Sequence, residues 1–189
     1  KLNLNPIIAK ILVNRQITEK NLNKFIDPTI KEIMPDPQLI DDMKKATNKI
    51  VDFILKKKKI GIFGDYDVDG SVSTAIFCNY LKEIGVDYEF YIPDRVKEGY
   101  GPNFIAFDYL KKKKCDLIIT LDCGTTSFKE IQYIKNKNID VIVVDHHKEG
   151  ESLPNAFAIV NPNKKLDNSN LTNLCAAGVV FFLLVSINR

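Results

Sequence analysis

From residue 60 onward, short runs that are apolar throughout alternate with longer runs that are apolar on one side only. The short runs are "IGIF" (60–63), "YEFYI" (88–92), "LIITL" (117–121), "VIVV" (141–144) and "FAIV" (157–160). Their lack of polar alternation predicts strands buried on both faces. Between them, 71–84, 103–113 and 127–136 carry helical spacing, and a further helix starts near 172. This alternation predicts an α/β fold: a doubly wound, mainly parallel sheet flanked by helices, with right-handed crossovers. Before residue 60 the texture is different. Residues 6–26 read as two short helices, with Thr18 as an N-cap. "DPTIKEIMPDP" holds three prolines in eleven residues and reads as an irregular connection. Apolar positions 39, 40, 43, 46, 50, 51, 54 and 55 then predict one long amphipathic helix. The expected organisation is a helical N-terminal extension over 1–58 and an α/β domain over 59–189.

Composition narrows the class. The chain has 189 residues, 45% hydrophobic and 27% charged, which suits a globular domain with a real core. Its net charge of +3, from 27 basic and 24 acidic residues, is too mild to argue nucleic-acid binding by itself. Two lysine runs, 56–59 and 111–114, fall at predicted helix C-termini, where they complement the helix dipole and are solvated. The run "CAAGVVFFLLV" (175–185) is shorter than the roughly 20 residues a membrane span needs, so it predicts a buried core helix and no membrane association. The start, "KLNLNPIIAK", has no long apolar segment of the signal-peptide kind, and a cytoplasmic location is expected. Cys78, Cys115, Cys123 and Cys175 form no CxxC pair, so they read as reduced core thiols and not as a zinc site. The chain begins at Lys1 and ends four residues after its most apolar run with no helix stop signal, which reads as a fragment of a longer protein.

The informative chemistry lies just after the strands. In an open parallel sheet, ligands gather at the strands' carboxyl ends. After "IGIF" come Asp65, Asp67 and Asp69; after "LIITL" comes Asp122; after "VIVV" come Asp145, His146 and His147, the only histidines in the chain. Three strands therefore bring carboxylates to one edge. Asp122 alone could be a helix cap. "DYDVDG" alone could be a calcium loop, but such a loop needs Glu six residues after its glycine, and Ile76 stands there. No glycine-rich phosphate loop is present, and a receiver-type domain would leave Asp145, His146 and His147 without a role. Carboxylates plus imidazole without thiolate suit Mn²⁺ or Mg²⁺. So many carboxylates invite a two-metal site, with the ions about 3.5–4 Å apart. The residue types point to metal-dependent hydrolysis of a phosphoester or phosphoanhydride.

"GDYDVDGSVST" (64–74), "LDCGTTS" (121–127) and "VVDHHKEG" (143–150) resemble motifs one to three of the DHH phosphoesterase superfamily. Within it, the chain resembles the RecJ-type exonucleases most, through "IPDRVKEGYGPN" (92–103), "AIVNPN" (158–163), "LCAAGVVFFLL" (174–184) and "DPQLIDDMKKATNKI" (36–50). The resemblance covers nearly the whole chain. It implies a metal-dependent exonuclease acting 5′ to 3′ on single-stranded DNA in repair and recombination, with single-strand-binding protein and a helicase as companions. Asp67 and Asp69 match motif-one metal ligands, Asp122 the carboxylate that bridges two ions, and His146 a histidine ligand. Asp65 aligns with the first aspartate of the motif and joins the metal set. Asp145 supports the site, and His147 lies near the scissile phosphate. Arg95 is expected on the DNA phosphate, with Tyr100 stacking on the strand and Lys97 beside it. Two departures stand out. Phe63 occupies a position where some relatives carry a metal-binding His, and the last aspartate ligand of the family, motif four, is expected beyond Arg189. Related enzymes of the superfamily that act on oligoribonucleotides, dinucleotides or pyrophosphate are the alternative reading. A DNA-binding relative that does not cut is the non-enzymatic one.

Overall fold

The computed structural model describes residues 4–189, which fall into two compact units, one ending at Asp36 and the other running from Pro37 to Arg189. The first unit is helical: α1 (Pro6–Asn14), α2 (Glu19–Ile26) and the single turn α3 (Ile30–Ile33). Pro6 occupies the first turn of α1, where its missing N–H is no loss, and the Asn5 side chain accepts from the Ile7 N–H. Thr18 stands at the N-cap of α2 as expected.

The second unit is a three-layer α/β domain. Its elements are a 3₁₀ turn at Pro37–Leu39, then α4 (Met43–Leu55), β1 (Ile60–Gly64), α5 (Val68–Glu83), β2 (Tyr88–Tyr91), α6 (Phe104–Lys112), β3 (Leu117–Leu121), α7 (Phe128–Lys135), β4 (Asp140–Val144), β5 (Ala158–Val160) and α8 (Ala176–Ile187). All five strands are parallel, in the order β2-β1-β3-β4-β5. β1, β3 and β5 are buried along their whole length, as their unbroken apolar runs require. α4, α5 and α8 pack together on one face of the sheet, and α6 and α7 pack together on the other. Between the sheet and that second pair lies a core built on Phe63, Phe107, Leu110, Ile118, Ile131 and Val143. Phe63 belongs to this core. It is stacked against Tyr91 and edge-on to Phe107, and it is fully buried.

Two expectations need adjusting. The helix predicted from residue 39 begins at Met43, because Asp42 adopts a left-handed φ of 63° and turns its carboxylate to the Ile159 N–H at 2.9 Å. That leaves Leu39 half exposed on the 3₁₀ turn. The compact units divide between Asp36 and Pro37, and α4 packs on α8 and β5. Last, Cys175 is exposed at the N-cap of α8, whereas Cys78, Cys115 and Cys123 are buried thiols. The run 175–185 supplies the N-cap and most of α8, which buries Ala176, Val179, Val180, Phe182 and Leu183 and exposes Phe181, and no helix among the described residues is long and apolar enough to cross a membrane.

Candidate metal centre

The strand order reverses direction around β1: β2 follows on one side, and β3, β4 and β5 follow on the other. A crevice forms at such a switch point, outside the carboxyl ends of β1 and β3. The register places one residue of each strand on a common row there. Gly64 pairs with Leu121, Leu121 with Val144, and Val144 with Val160. The residues one step further are Asp65, Asp122, Asp145 and Asn161. Their backbones prolong the ladder: the Asp65 N–H donates to Leu121, the Asp122 N–H to Val144, and the Asp145 N–H to Val160. Three carboxylates and an amide are thus lined up by sheet hydrogen bonds, not by loop geometry.

The first loop is tight because its glycines permit close approach. A Cβ on Gly70 would lie 2.6 Å from both the Cβ and the carbonyl oxygen of Asp65. Only glycine lets α5 start so near the end of β1. α5 begins at Val68, three residues before the predicted start, so Asp67 becomes its N-cap and accepts from the Gly70 N–H at 2.9 Å. Asp69 stands in the first turn of α5. Its two oxygens accept the Ala176 and Ala177 N–H groups at 2.7 and 2.9 Å, which ties it to the N-terminus of α8. Asp65 is buried and accepts from the Tyr66 N–H; burial and the neighbouring Asp67 push its carboxyl up.

Asp122 is the centre of the arrangement. It is 1% exposed and sits at a left-handed φ of 63°, which turns its side chain out of the strand's alternation. Neither carboxylate oxygen has a hydrogen-bond partner. The His146 Nε2 lies 3.3 Å from one of them, an ion-pair contact when the imidazole is protonated. Burial and the charges of Asp69 and Asp67 push the Asp122 carboxyl up to about 8. Asp65, Asp67 and Asp122 offer oxygens within 4.8 Å of one another, and so do Asp122, His146 and His147 with their ligand atoms. Asp122 is common to both groups, while Asp69 reaches the second through His146 at 3.5 Å. Asp122 does not cap a helix. α7 starts at Phe128, after the glycine turn at Gly124.

Asp145 plays a different part. Its carboxylate accepts the His146 and His147 N–H groups, the His147 Nδ1 at 2.7 Å and the Thr125 N–H at 3.0 Å. Burial opposes its charge, but the bonds from His147 and Thr125 outweigh that and hold the carboxyl at about 2. With three donors on one oxygen and one on the other, it organises the histidine loop. The same bond raises the His147 pKa. With Nδ1 held by Asp145, the Nε2 of His147 is left for other partners. Tyr100 covers this side: its hydroxyl is 3.3 Å from the His147 Nδ1, and its ring is edge-on to the imidazole.

Arg95 is exposed and lies over the ring of Tyr66, 5.3 Å from its centroid, at the rim of the acidic cluster. Lys97 pairs with Asp94 at 3.5 Å and is otherwise open to solvent. The loop carrying them is pinned by Glu98, which accepts from the Tyr91 hydroxyl, the Asp94 N–H and the Asn103 amide. Sequence reasoning assigned no role to Tyr66, Thr125, Asn161 or Asn163. Asn161 donates to the Thr125 hydroxyl and to the His147 carbonyl, and Asn163 donates to the His146 carbonyl. Their signal was present. Asn161 is the residue directly after the last strand, the position that carries an aspartate after β1, β3 and β4.

Fold and site together define an α/β protein with an acidic centre, suited to divalent cations, at the switch point of its sheet. Residues 59–189 match the DHH family, N-terminal domain, and the chain belongs to that family. Among curated proteins it is 37% identical over 183 residues to the single-stranded-DNA-specific exonuclease RecJ of Bacillus subtilis, a match spanning 97% of this chain and 23% of that protein. Against the protein of the same name in Haemophilus influenzae it is 33% identical, spanning 96% of this chain and 31% of the other. The chain therefore spans about a quarter to a third of the length of these relatives. A crystal structure of exonuclease RecJ bound to manganese aligns with 79% of this chain and 38% of its own, at 32% identity and a TM-score of 0.71. The Mn²⁺ complex of RecJ from Thermus thermophilus aligns with 99% of this chain and 26% of its own, at 28% identity and a TM-score of 0.75.

Proposed function

We propose that this chain forms the N-terminal catalytic lobe of a metal-dependent exonuclease that hydrolyses single-stranded DNA from the 5′ end. The observation that carries the reading is Asp122, whose two buried oxygens accept no hydrogen bond while other acids and the His146 imidazole surround them. A buried carboxylate without a donor is costly, and a cation removes the cost. The donors are carboxylate oxygens and imidazole nitrogens with no thiolate among them, which fits Mn²⁺ or Mg²⁺. Asp65 and Asp67 would hold one ion and Asp69 and His146 a second, with Asp122 shared. Bound there, such ions supply Lewis-acid polarisation of the phosphodiester and lower the pKa of an attacking water.

The remaining residues act around that centre. Asp145 orients His147 and keeps its Nε2 available to the phosphate. Arg95, propped on Tyr66, offers a guanidinium to the substrate phosphate. Tyr100 offers a ring for a terminal base and a hydroxyl beside His147. Residues 59–189 form the DHH catalytic domain in this reading and 1–58 a helical extension to it. The setting is DNA repair and recombination in the cytoplasm, with single-strand-binding protein and a helicase as companions.

The test is Mn²⁺-dependent degradation of 5′-labelled and 3′-labelled single-stranded DNA by this chain and by a form continuing past Arg189. Release of 5′ nucleotides that disappears in Asp122→Ala supports the reading. Hydrolysis of dinucleotides or pyrophosphate without any attack on DNA overturns it in favour of a small-substrate enzyme. Metal binding and DNA binding with no hydrolysis of any substrate would make the protein a scaffold.

A further inference from the structure

The edge of the sheet opposite the metal centre is basic, and its basicity is assembled by the fold. β1 and β3 are parallel neighbours that start in register, Ile60 against Leu117. The lysine runs 56–59 and 111–114, more than fifty residues apart in sequence, therefore meet at one edge, where the Asp116 N–H donates to the Lys59 carbonyl. Lys49, in the middle of α4, and Lys137, just past the end of α7, reach the same place. There they surround a concavity of about 490 Å³ that Lys49, Lys58, Lys111, Lys114 and Lys137 line.

Local acids neutralise only part of this charge. Asp140 takes Lys49, Asp108 takes Lys137, Asp52 takes Lys56, and Asp87 and Glu89 share Lys59 and Lys113. Lys57, Lys58, Lys111, Lys112 and Lys114 are exposed and have no ion-pair partner within 4 Å among the described residues. Each lysine run read alone is an ordinary solvated helix end. A set of unpaired ammonium groups around a hollow is a surface for repeated negative charge.

We infer that this edge is a second nucleic-acid contact surface, one that holds the sugar-phosphate backbone of a strand at a distance from the metal centre. The strands separating the two edges are five residues long in β1, β3 and β4, which sets the edges at least roughly 17 Å apart. The chemistry favours a phosphate backbone over a protein partner. The hollow has five ammonium groups against the two carboxylates of Asp116 and Asp140, and only Phe53, Cys115 and Ile139 as apolar lining, all buried, so it lacks the exposed aromatic anchors of protein interfaces. Flexible lysines act as point charges, which predicts sequence-independent and strongly salt-dependent binding. The choice of nucleic acid as partner rests on the proposed exonuclease reading; the basic surface itself does not.

The test uses the protein extended past Arg189, in EDTA so that no strand is cut. Anisotropy of labelled oligothymidylates of about 6 and about 30 nucleotides is measured across a salt series, for the parent and for the triple variant Lys58→Gln/Lys111→Gln/Lys114→Gln. For the long strand, the inference expects affinity about a hundredfold weaker near 0.1 M salt and a log–log salt slope smaller by about 2, from three lost contacts at about 0.7 each. Affinity for the short strand, and its Mn²⁺-dependent hydrolysis, should be unchanged. An unchanged slope for the long strand overturns the inference. So does a variant that binds DNA like the parent but loses binding to a labelled polyglutamate, which would assign the surface to an acidic protein segment. Lysine-dependent binding of the long strand with no hydrolysis of any DNA would retain this surface and remove the exonuclease reading.

Discussion

The two edges of one sheet carry opposite solutions to crowded charge. At the carboxyl edge, Asp65, Asp122 and Asp145 sit in a row, each at most 2% exposed. At the amino edge the lysines are exposed, and six acids around them are consumed in pairs or lie beside them. Water screens the lysines, so their repulsion costs little. Nothing screens the aspartates, so one is satisfied by protein donors and another is left open. Asp145 and Asp122 make the contrast within a single row. Four donors hold the first at about 2, and the second, with none, is pushed up to about 8. A buried carboxylate kept with donors organises structure; one kept without them is a place for a cation.

The largest break in this contrast is expected from Asp122→Ala. It should lower Mn²⁺-dependent turnover of the extended protein by well over a hundredfold, since even the groups that orient metal ligands are worth about 10–100-fold. Steady-state rates on 5′-labelled DNA would measure it. The same residue should act in the opposite sense on stability. The metal-free chain should lose stability as pH rises from about 4 to about 8, because the folded Asp122 carboxyl binds its proton more tightly than the unfolded one. His147 adds to the loss above about 6.5, its folded pKa also being raised, whereas Asp145 contributes stability that is lost only as pH falls below about 3.8 toward 2. Asp122→Asn should flatten the slope between 4 and 8, and saturating Mn²⁺ should reverse it, as read by thermal melts. A melting temperature that rises over that window in EDTA would contradict the picture of an uncompensated Asp122.

Smaller effects sharpen the contrast. Gly70→Ala pushes a methyl to 2.6 Å from Asp65 and should destabilise by about 1–3 kcal/mol, with weaker Mn²⁺ binding by calorimetry. Asn161→Ala removes donors to Thr125 and to the His147 carbonyl, and denaturant unfolding should report about 1–3 kcal/mol. At the opposite edge, Lys49→Ala breaks a part-exposed pair with Asp140 and should cost less than about 1 kcal/mol in the same experiment.

Much of this was legible in the chain. Unbroken apolar runs announced parallel strands that are buried in β1, β3, β4 and β5, whereas "YEFYI", expected to be buried on both faces, forms the edge strand β2 with Phe90 exposed because it has a neighbour on one side only; the residues after the strands announced the aspartates and histidines of the site, because a parallel sheet puts every strand end of one sense on one edge. The apolar run at 175–185 was legible as a core helix for the same reason of composition. Helix starts were less legible. Asp42 and Asp67 look alike as polar residues before helices, yet one turns left-handed toward Ile159 and the other caps α5. That choice depends on partners far along the chain.

By itself the sequence determined the class of fold, the direction of its strands and which side chains would crowd the carboxyl edge, since all three follow from local periodicity and the geometry of strand ends. Only the tertiary structure decided what each aspartate does there. The register put Asn161 in the fourth place of the row, α8 supplied amides to Asp69, Thr125 and the histidine loop filled the valences of Asp145, and nothing filled those of Asp122. The same register brought two ordinary lysine runs together into one basic edge. Charge on a side chain is written in the sequence; whether it is paired, buried or left open is a matter of which distant donors the packing brings within about 3 Å.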